Sequence, residues 1–379
     1  MAVAAGDLAG IKCASISGLG PAVKFGVVVG AGSRDELEDE NGAAHMLRQL
    51  AFRSTSSASE LKLFRDLESI GATTETAVTR EYMLYSVTCS PEASAEALGL
   101  LSEAVMDPAL YDYEGKAASG LVTTDLAGLA ANKGATLIEA AHEAAYGFSG
   151  LGNSLYAADG LPSMDAVRGF YERALVADNM VLVGAGADMD VVSAAASTHF
   201  GGVAAGSKPA TAASTFGSGD VRVRVPGAAE TLFALSYGLS AAEAPAVKVF
   251  AELLNSKLPL GMTAAVYGYS DATLLAVSGA AESKLTGEGM EKALSAIKGM
   301  SVDDAGVAAA AAKLAVADAA AKSTLSGAVL PAALSLLHGA PGAADAASVK
   351  SVASKVSGMV PAVAAVGKAS AVPRASELA

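Results

Sequence analysis

Residues 30–55 read GAGSRDELEDENGAAHMLRQLAFRST, and the rest of the chain is interpreted from this stretch. It opens where the apolar, β-branched run 22–30 ends in glycine, and such a run bounded by Gly and Pro predicts a strand. A short acidic turn follows, and Asn41 is placed to cap a helix over residues 42–53. On that helix His45 and Gln49 stand four residues apart and share one face, with Arg48 beside them.

Working outward, residues 10–17 read as a second strand. Residues 57–70 (SASELKLFRDLESI) form an amphipathic pattern with Leu61, Phe64, Leu67 and Ile70 on one face and a Ser57–Glu60 capping box. Strands are expected at 73–78 and 82–89 around Thr79-Arg80-Glu81. Helices are expected at 91–106, 111–131, 135–146 and 163–175, and a closing strand at 179–186. The composition then changes: residues 206–219 (GSKPATAASTFGSG) are rich in Gly, Ser, Thr and Pro, as in a linker. Beyond it the order repeats. Strands are expected at 229–237, 264–269, 272–279 and 361–367, with helices at 242–255, 288–298, 302–321, 324–337 and 344–355. A duplicated unit of roughly 180 residues accounts for this. The expected organisation is α+β: two homologous αβ domains, 1–205 and 220–379, joined by the 206–219 linker. Each is a mostly antiparallel sheet packed with helices, and the pair is arranged as a clamshell.

Composition narrows the function. Of 379 residues, 26 are Lys or Arg and 39 are Asp or Glu, a net charge of −13, which argues against nucleic-acid binding. The two cysteines, Cys13 and Cys89, form no CxxC pair and read as small buried hydrophobes in strands. The uncharged stretch 323–344 contains Pro331, Pro341 and His338 and reads as a helix inside the protein rather than a membrane span. The N-terminal MAVAAGDLAGIK has no Arg before Arg34 and resembles neither a secretory signal nor a transit peptide. His142, His199 and His338 read as packed or helix-capping residues. No GxSxG or GxxxxGK[ST] motif occurs, and Gly184-Ala185-Gly186 lacks a third glycine in register.

The Gly-Ser-Arg strand end, acidic loop, Gly-Ala-Ala-His helix start and Phe52-Arg53-Ser54-Thr55 exit resemble the pitrilysin and mitochondrial processing peptidase family of inverted zinc peptidases. Thr79-Arg80-Glu81-Tyr82, Gly150-Leu151-Gly152-Asn153-Ser154-Leu155 and NMVLVGAG (179–186) match further landmarks. The active members carry His-x-x-Glu-His and a third ligand, Glu, on a later helix. The resemblance implies that His45 keeps the first ligand position, Arg48 replaces the general base, Gln49 replaces the second ligand and Asp125 stands at the third. Arg48 cannot deprotonate near neutral pH and repels a divalent cation. The resemblance therefore implies a non-catalytic chain with no catalytic residues, no bound metal and no cofactor.

Among inactive members, the pattern is most similar to the core subunits of respiratory complex III. Their implied role is structural, on the matrix side of the mitochondrial inner membrane and peripheral to it. Their implied partners are a second core subunit of the same fold, the other subunits of the complex, and a second copy of the same chain. The alternative is the α-type processing-peptidase subunit, which binds presequences for an active zinc partner. It carries a long glycine-rich loop where this chain has only LNSKLPLGM (254–262).

Overall fold

The computed structural model describes every residue except 1, 2, 9, 159, 204, 205, 209, 341, 369–371 and 379. The first half runs β1 (Val3–Leu8), β2 (Ile11–Ile16), β3 (Val23–Val29), α1 (Ala43–Leu50), α2 (Glu60–Ser69), β4 (Thr73–Val78), β5 (Met83–Cys89) and α3 (Ser94–Met106). It continues through α4 (Asp112–Ala131), α5 (Lys133–Tyr146), α6 (Met164–Ala174), β6 (Met180–Ala185) and α7 (Met189–His199). The second half runs β7 (Asp220–Arg224), β8 (Glu230–Ser240), α8 (Ala244–Asn255), β9 (Met262–Gly268) and β10 (Ala272–Glu282). It ends with α9 (Thr286–Lys298), α10 (Asp304–Lys322), α11 (Leu325–His338), α12 (Ala346–Gly358) and β11 (Ala362–Gly367).

Two sheets result, in the orders β1-β2-β6-β3-β5-β4 and β7-β11-β8-β10-β9. In each, one pair is parallel, β2 with β6 and β11 with β7, and the remaining pairs are antiparallel. Apart from β1, the two sheets have the same order and sense, strand for strand. The α+β reading of two mostly antiparallel sheets packed with helices is thus what the chain adopts. Strands β1 and β7 were not among the elements expected, and helix α7 was expected only as the helix that His199 ends. Residues 206–219 contain no helix or strand among the described residues.

The chain forms two compact units, and neither is continuous in sequence. One comprises Met1–Leu126, Ser154–Thr211 and Ala319–Ala340; the other comprises Ala127–Asn153, Ala212–Asp318 and Pro341–Ala379. Each sequence half therefore contributes a helix to the other half's sheet, where the sequence suggested a division at 206–219. The central strands explain why. In β6, Met180 and Leu182 join the main core of the first unit, whereas Val181, Val183 and Ala185 point to the other face. A strand apolar on both faces needs cover on both. Helix α11 supplies it with Ala328, Val329 and Ala333. Lys12 Nζ donates to Leu336 O at 3.0 Å, and the buried Lys24 donates to Ser326 Oγ at 2.8 Å and pairs with Glu75. In the second unit α5 does the same, placing Leu137, Ala140 and Ala141 against Ala234, Ala364 and Val366.

Three local expectations are corrected. Helix α1 spans 43–50 rather than 42–53, and Asn41 does not cap it. Helix α2 begins at Glu60, and its cap is Ser59, whose hydroxyl accepts from Lys62 N, in place of a Ser57–Glu60 box. Its buried face is Leu63 and Leu67; Leu61 and Phe64 are 61% and 47% exposed. Cys13 and Cys89 are buried and free in β2 and β5, as small core residues. Among the described residues no single helix is long and apolar enough to cross a membrane.

Candidate functional site

The site is built on α1. Gly42 adopts φ +87 before the helix, and a Cβ there would lie 2.4 Å from Ala157 Cβ, so both conformation and space call for glycine. The cap comes from six residues upstream: Glu36 accepts from Gly42 N at 2.9 Å and Ala44 N at 2.8 Å. Burial pushes the Glu36 carboxyl up to about 8; the two amide donors oppose this and the charges of Glu40 and Asp35 add to it. Glu40 is in turn held by both guanidinium nitrogens of Arg173 at 2.5 Å. With its first turn fixed, α1 buries Ala43, Ala44, His45, Met46, Leu47 and Leu50.

Helix α4 brings Asp125. Gly115, Ala118 and Val122 are buried on one side of it, and spacings of three and four residues continue that side to Asp125. His45 Nε2 lies 2.9 Å from Asp125 Oδ2. Gln49 Nε2 donates to the same oxygen at 2.6 Å, and Arg48 Nη1 stands 3.6 Å from it. Ala157 N–H points to His45 Nδ1 at 3.4 Å, so a neutral His45 carries its proton on Nε2 and donates it to Asp125. The Tyr156 ring meets the imidazole edge-on with centroids 5.3 Å apart.

All four positions singled out from the sequence are therefore brought together around one carboxylate oxygen. Burial raises the Asp125 carboxyl, but the His45 hydrogen bond, the Arg48 charge and the Gln49 amide outweigh it and hold it below the usual carboxylate range. Glu36, Tyr156 and Ala157 escaped the sequence reading. Only the acidic loop hinted at Glu36, and nothing in the sequence places residue 157 beside residue 45.

The donor set does not suit zinc. His45 and Gln49 both spend their N–H groups on Asp125, and Arg48 already neutralises that carboxylate. A divalent ion about 5 Å from the guanidinium would meet a repulsion of roughly 7 kcal/mol at an effective dielectric of 20. The arrangement ties α1 to α4 as a hydrogen-bonded, charge-balanced strut.

The other histidines lie elsewhere. His142 on α5 is fully buried, with Nδ1 2.8 Å from Ile138 O and Nε2 2.6 Å from the Tyr269 hydroxyl, a packed residue as expected. His199 and His338 are the last residues of α7 and α11. Burial lowers the pKa of His338, with Lys208, Lys12 and Arg34 adding to that shift and Glu81 opposing it.

Comparison with known proteins adds to this geometry. A family model described as Insulinase (Peptidase family M16) matches residues 12–159, from β2 through the loop after α5. Over those residues the chain is similar to the M16 peptidase family, and its fold is M16 peptidase-like. The chain is 28% identical to the mitochondrial cytochrome b-c1 complex subunit 2 of Cryptococcus neoformans, over 97% of its own length and 93% of the relative's. It is 29% identical to subunit 2 of Mus musculus over 48% of the chain and 41% of the relative. It is also 31% identical to a probable mitochondrial-processing peptidase subunit alpha-2 of Arabidopsis thaliana, over 60% of the chain and 46% of the relative.

Proposed function

We propose that this chain is a non-catalytic structural core subunit of ubiquinol–cytochrome c oxidoreductase (complex III), of the core protein 2 type. The observation that carries this reading is the match to a b-c1 subunit 2 along nearly the whole of both chains. The site agrees with it, because Arg48 and Gln49 leave neither a general base nor a second strong zinc ligand. In this reading the subunit pairs with core protein 1 on the matrix side of the mitochondrial inner membrane. It meets a second copy of itself across the two-fold axis of the complex, supports assembly and binds no cofactor. A native gel of mitochondrial membranes in mild detergent, probed for this chain, tests the proposal. Co-migration with b- and c-type haem absorbance is expected; migration only as a soluble particle of about two such chains would overturn it.

The second reading is an α-type processing-peptidase subunit, favoured by the local identity of 31% to the plant alpha subunit. Against it, α8 and β9 are joined by residues 256–261 alone, with Gly261 the one glycine. A peptide-cleavage assay with an active β-type partner separates the two. Cleavage that requires this chain would establish presequence handling and remove the purely structural role.

A further inference from the structure

Strand β7 is an open edge of the second sheet. In the first sheet the matching strand, β2, is flanked by β1, which pairs with it antiparallel over six residues, from Val3↔Ile16 to Leu8↔Ile11. Both strands run parallel to their inner neighbours, β2 to β6 and β7 to β11. Among the described residues no strand takes the place beside β7 that β1 takes beside β2. Burial reflects the difference: five of the six residues of β2 are buried, and none of the five in β7. The backbone at this edge is open as well. Val363 N donates to Gly219 O at 2.8 Å, and Val225 N donates to Gly367 O at 3.0 Å. In a parallel ladder this phase turns residues 219, 221, 223 and 225 inward, so Asp220, Arg222 and Arg224 point their N–H and C=O groups outward.

The side chains of β7 alternate with its backbone. Val221, Val223 and Val225 lie on the face covered by α5, only partly buried against Leu137, Ala140 and Ala141. Arg222 and Arg224 stand on the opposite face, and both are exposed. Arg222 Nη2 donates to Asp220 Oδ1 and to Pro373 O, each at 3.3 Å. That contact brings Arg374 alongside, and Lys368 follows Gly367, the register partner of Arg224. Arg224, Lys368 and Arg374 have no ion-pair partner among the described residues. The edge is thus a local excess of positive charge on a chain of net charge −13. Charges on an edge strand keep like strands from pairing, and the same charges favour an unlike one. An added strand gains main-chain hydrogen bonds from the ladder and specificity from alternate side chains. Here its alternation must set carboxylates opposite the arginines and apolar groups opposite the valines.

We propose that β7 accepts an extended segment of a partner polypeptide, alternating acidic and apolar residues, as an antiparallel strand in the position that β1 fills in the first sheet. The probe is a fluorescent peptide of about seven alternating Val and Glu residues, titrated with the intact chain and followed by anisotropy. Two control peptides have the same length: one alternates Val and Lys, and the other is the Val/Glu peptide N-methylated at its Glu residues, whose amides would face β7. The Val/Glu peptide is expected to bind at least about tenfold more tightly than either control. Arg224→Glu is expected to weaken the acidic peptide about tenfold and to strengthen the basic one. Binding should also slow hydrogen exchange at the outward amides of Arg222 and Arg224. The peptide comparison needs no variant, so the test stands even if Arg224→Glu folds poorly. Equal binding of the acidic and basic peptides, undiminished binding of the N-methylated one, unchanged exchange at both amides, or no binding up to about 1 mM peptide would overturn the proposal. So would a stable dimer of the free chain that Arg224→Glu dissociates, because the edge would then belong to a second copy.

Discussion

Cutting the chain between its sequence halves should unfold the first half, although the cut falls in a segment without helix or strand. Residues 1–211 retain the first sheet but lose α11. Ile16, Val28, Leu84, Val181 and Val183, all buried beneath that helix, would then face water. At about 1.5–3 kcal/mol for each large apolar side chain, the loss is roughly 7–15 kcal/mol. That equals the whole stability of an ordinary domain, about 5–15 kcal/mol. The same fragment also carries α5 without its sheet, leaving Leu137, Ala140 and Ala141 uncovered. Residues 1–211 alone should therefore show no cooperative thermal transition by far-ultraviolet circular dichroism and should bind a hydrophobic dye. Co-expression with residues 212–379, or fusion of residues 319–340 to the fragment, should restore both compactness and cooperativity. A cooperative transition in residues 1–211 alone, within a few degrees of the intact chain, would refute the reasoning.

Three further outcomes follow from the site and its supports. Arg48→Glu, Gln49→His and Asp125→Glu combined restore a His-x-x-Glu-His pair and a longer third ligand, and this variant should acquire about one zinc per chain by metal analysis where the parent holds none. Gly42→Ala forces a side chain into positive φ and against Ala157, and should lower stability by about 1–3 kcal/mol in denaturant titration. The Glu36 carboxyl is raised from 4.5 to about 8, so the folded state holds this proton more tightly than the unfolded state across that window. Its contribution to stability is fully present below about pH 4.5 and is lost as pH rises through about 8, with a slope of up to ~1.4 kcal/mol per pH unit. Unfolding titrations across that range should show this slope, and Glu36→Gln should flatten it.

Local signals read well where they had one physical cause. The β-branched runs became β3, β6, β8 and β11, because a strand buried on both faces is apolar at every position. His45, Arg48 and Gln49 could be assigned to one turn of helix from spacing alone. Where two patterns compete, as in α2, the sequence placed Leu67 and Ile70 against the core but took Leu61 and Phe64 for buried in place of Leu63: these side chains are equally apolar, and only the position of the neighbouring helix α3 decides which is buried. The cap of α1 was misread for a similar reason. Asn41 is the conventional residue in the conventional place, but the left-handed turn at Gly42 lets the Glu36 side chain reach the first amides instead.

The sequence by itself determined most element types, the repeated strand–helix order, and the shared helix face of His45 and Gln49 with Arg48 beside them. Those follow from side-chain chemistry and from periods of two and 3.6 residues, which act within a few residues of chain. Only the tertiary structure decided which helix covers which sheet. Helix α5 is Ala-rich and helix α11 Leu- and Ala-rich, and either would suit either sheet by composition. Their placement depends on contacts more than 100 residues apart, such as Lys12 with Leu336 and Lys24 with Ser326. The same long-range packing places Asp125 and Ala157 around His45, and so closes the hydrogen-bonded strut between α1 and α4.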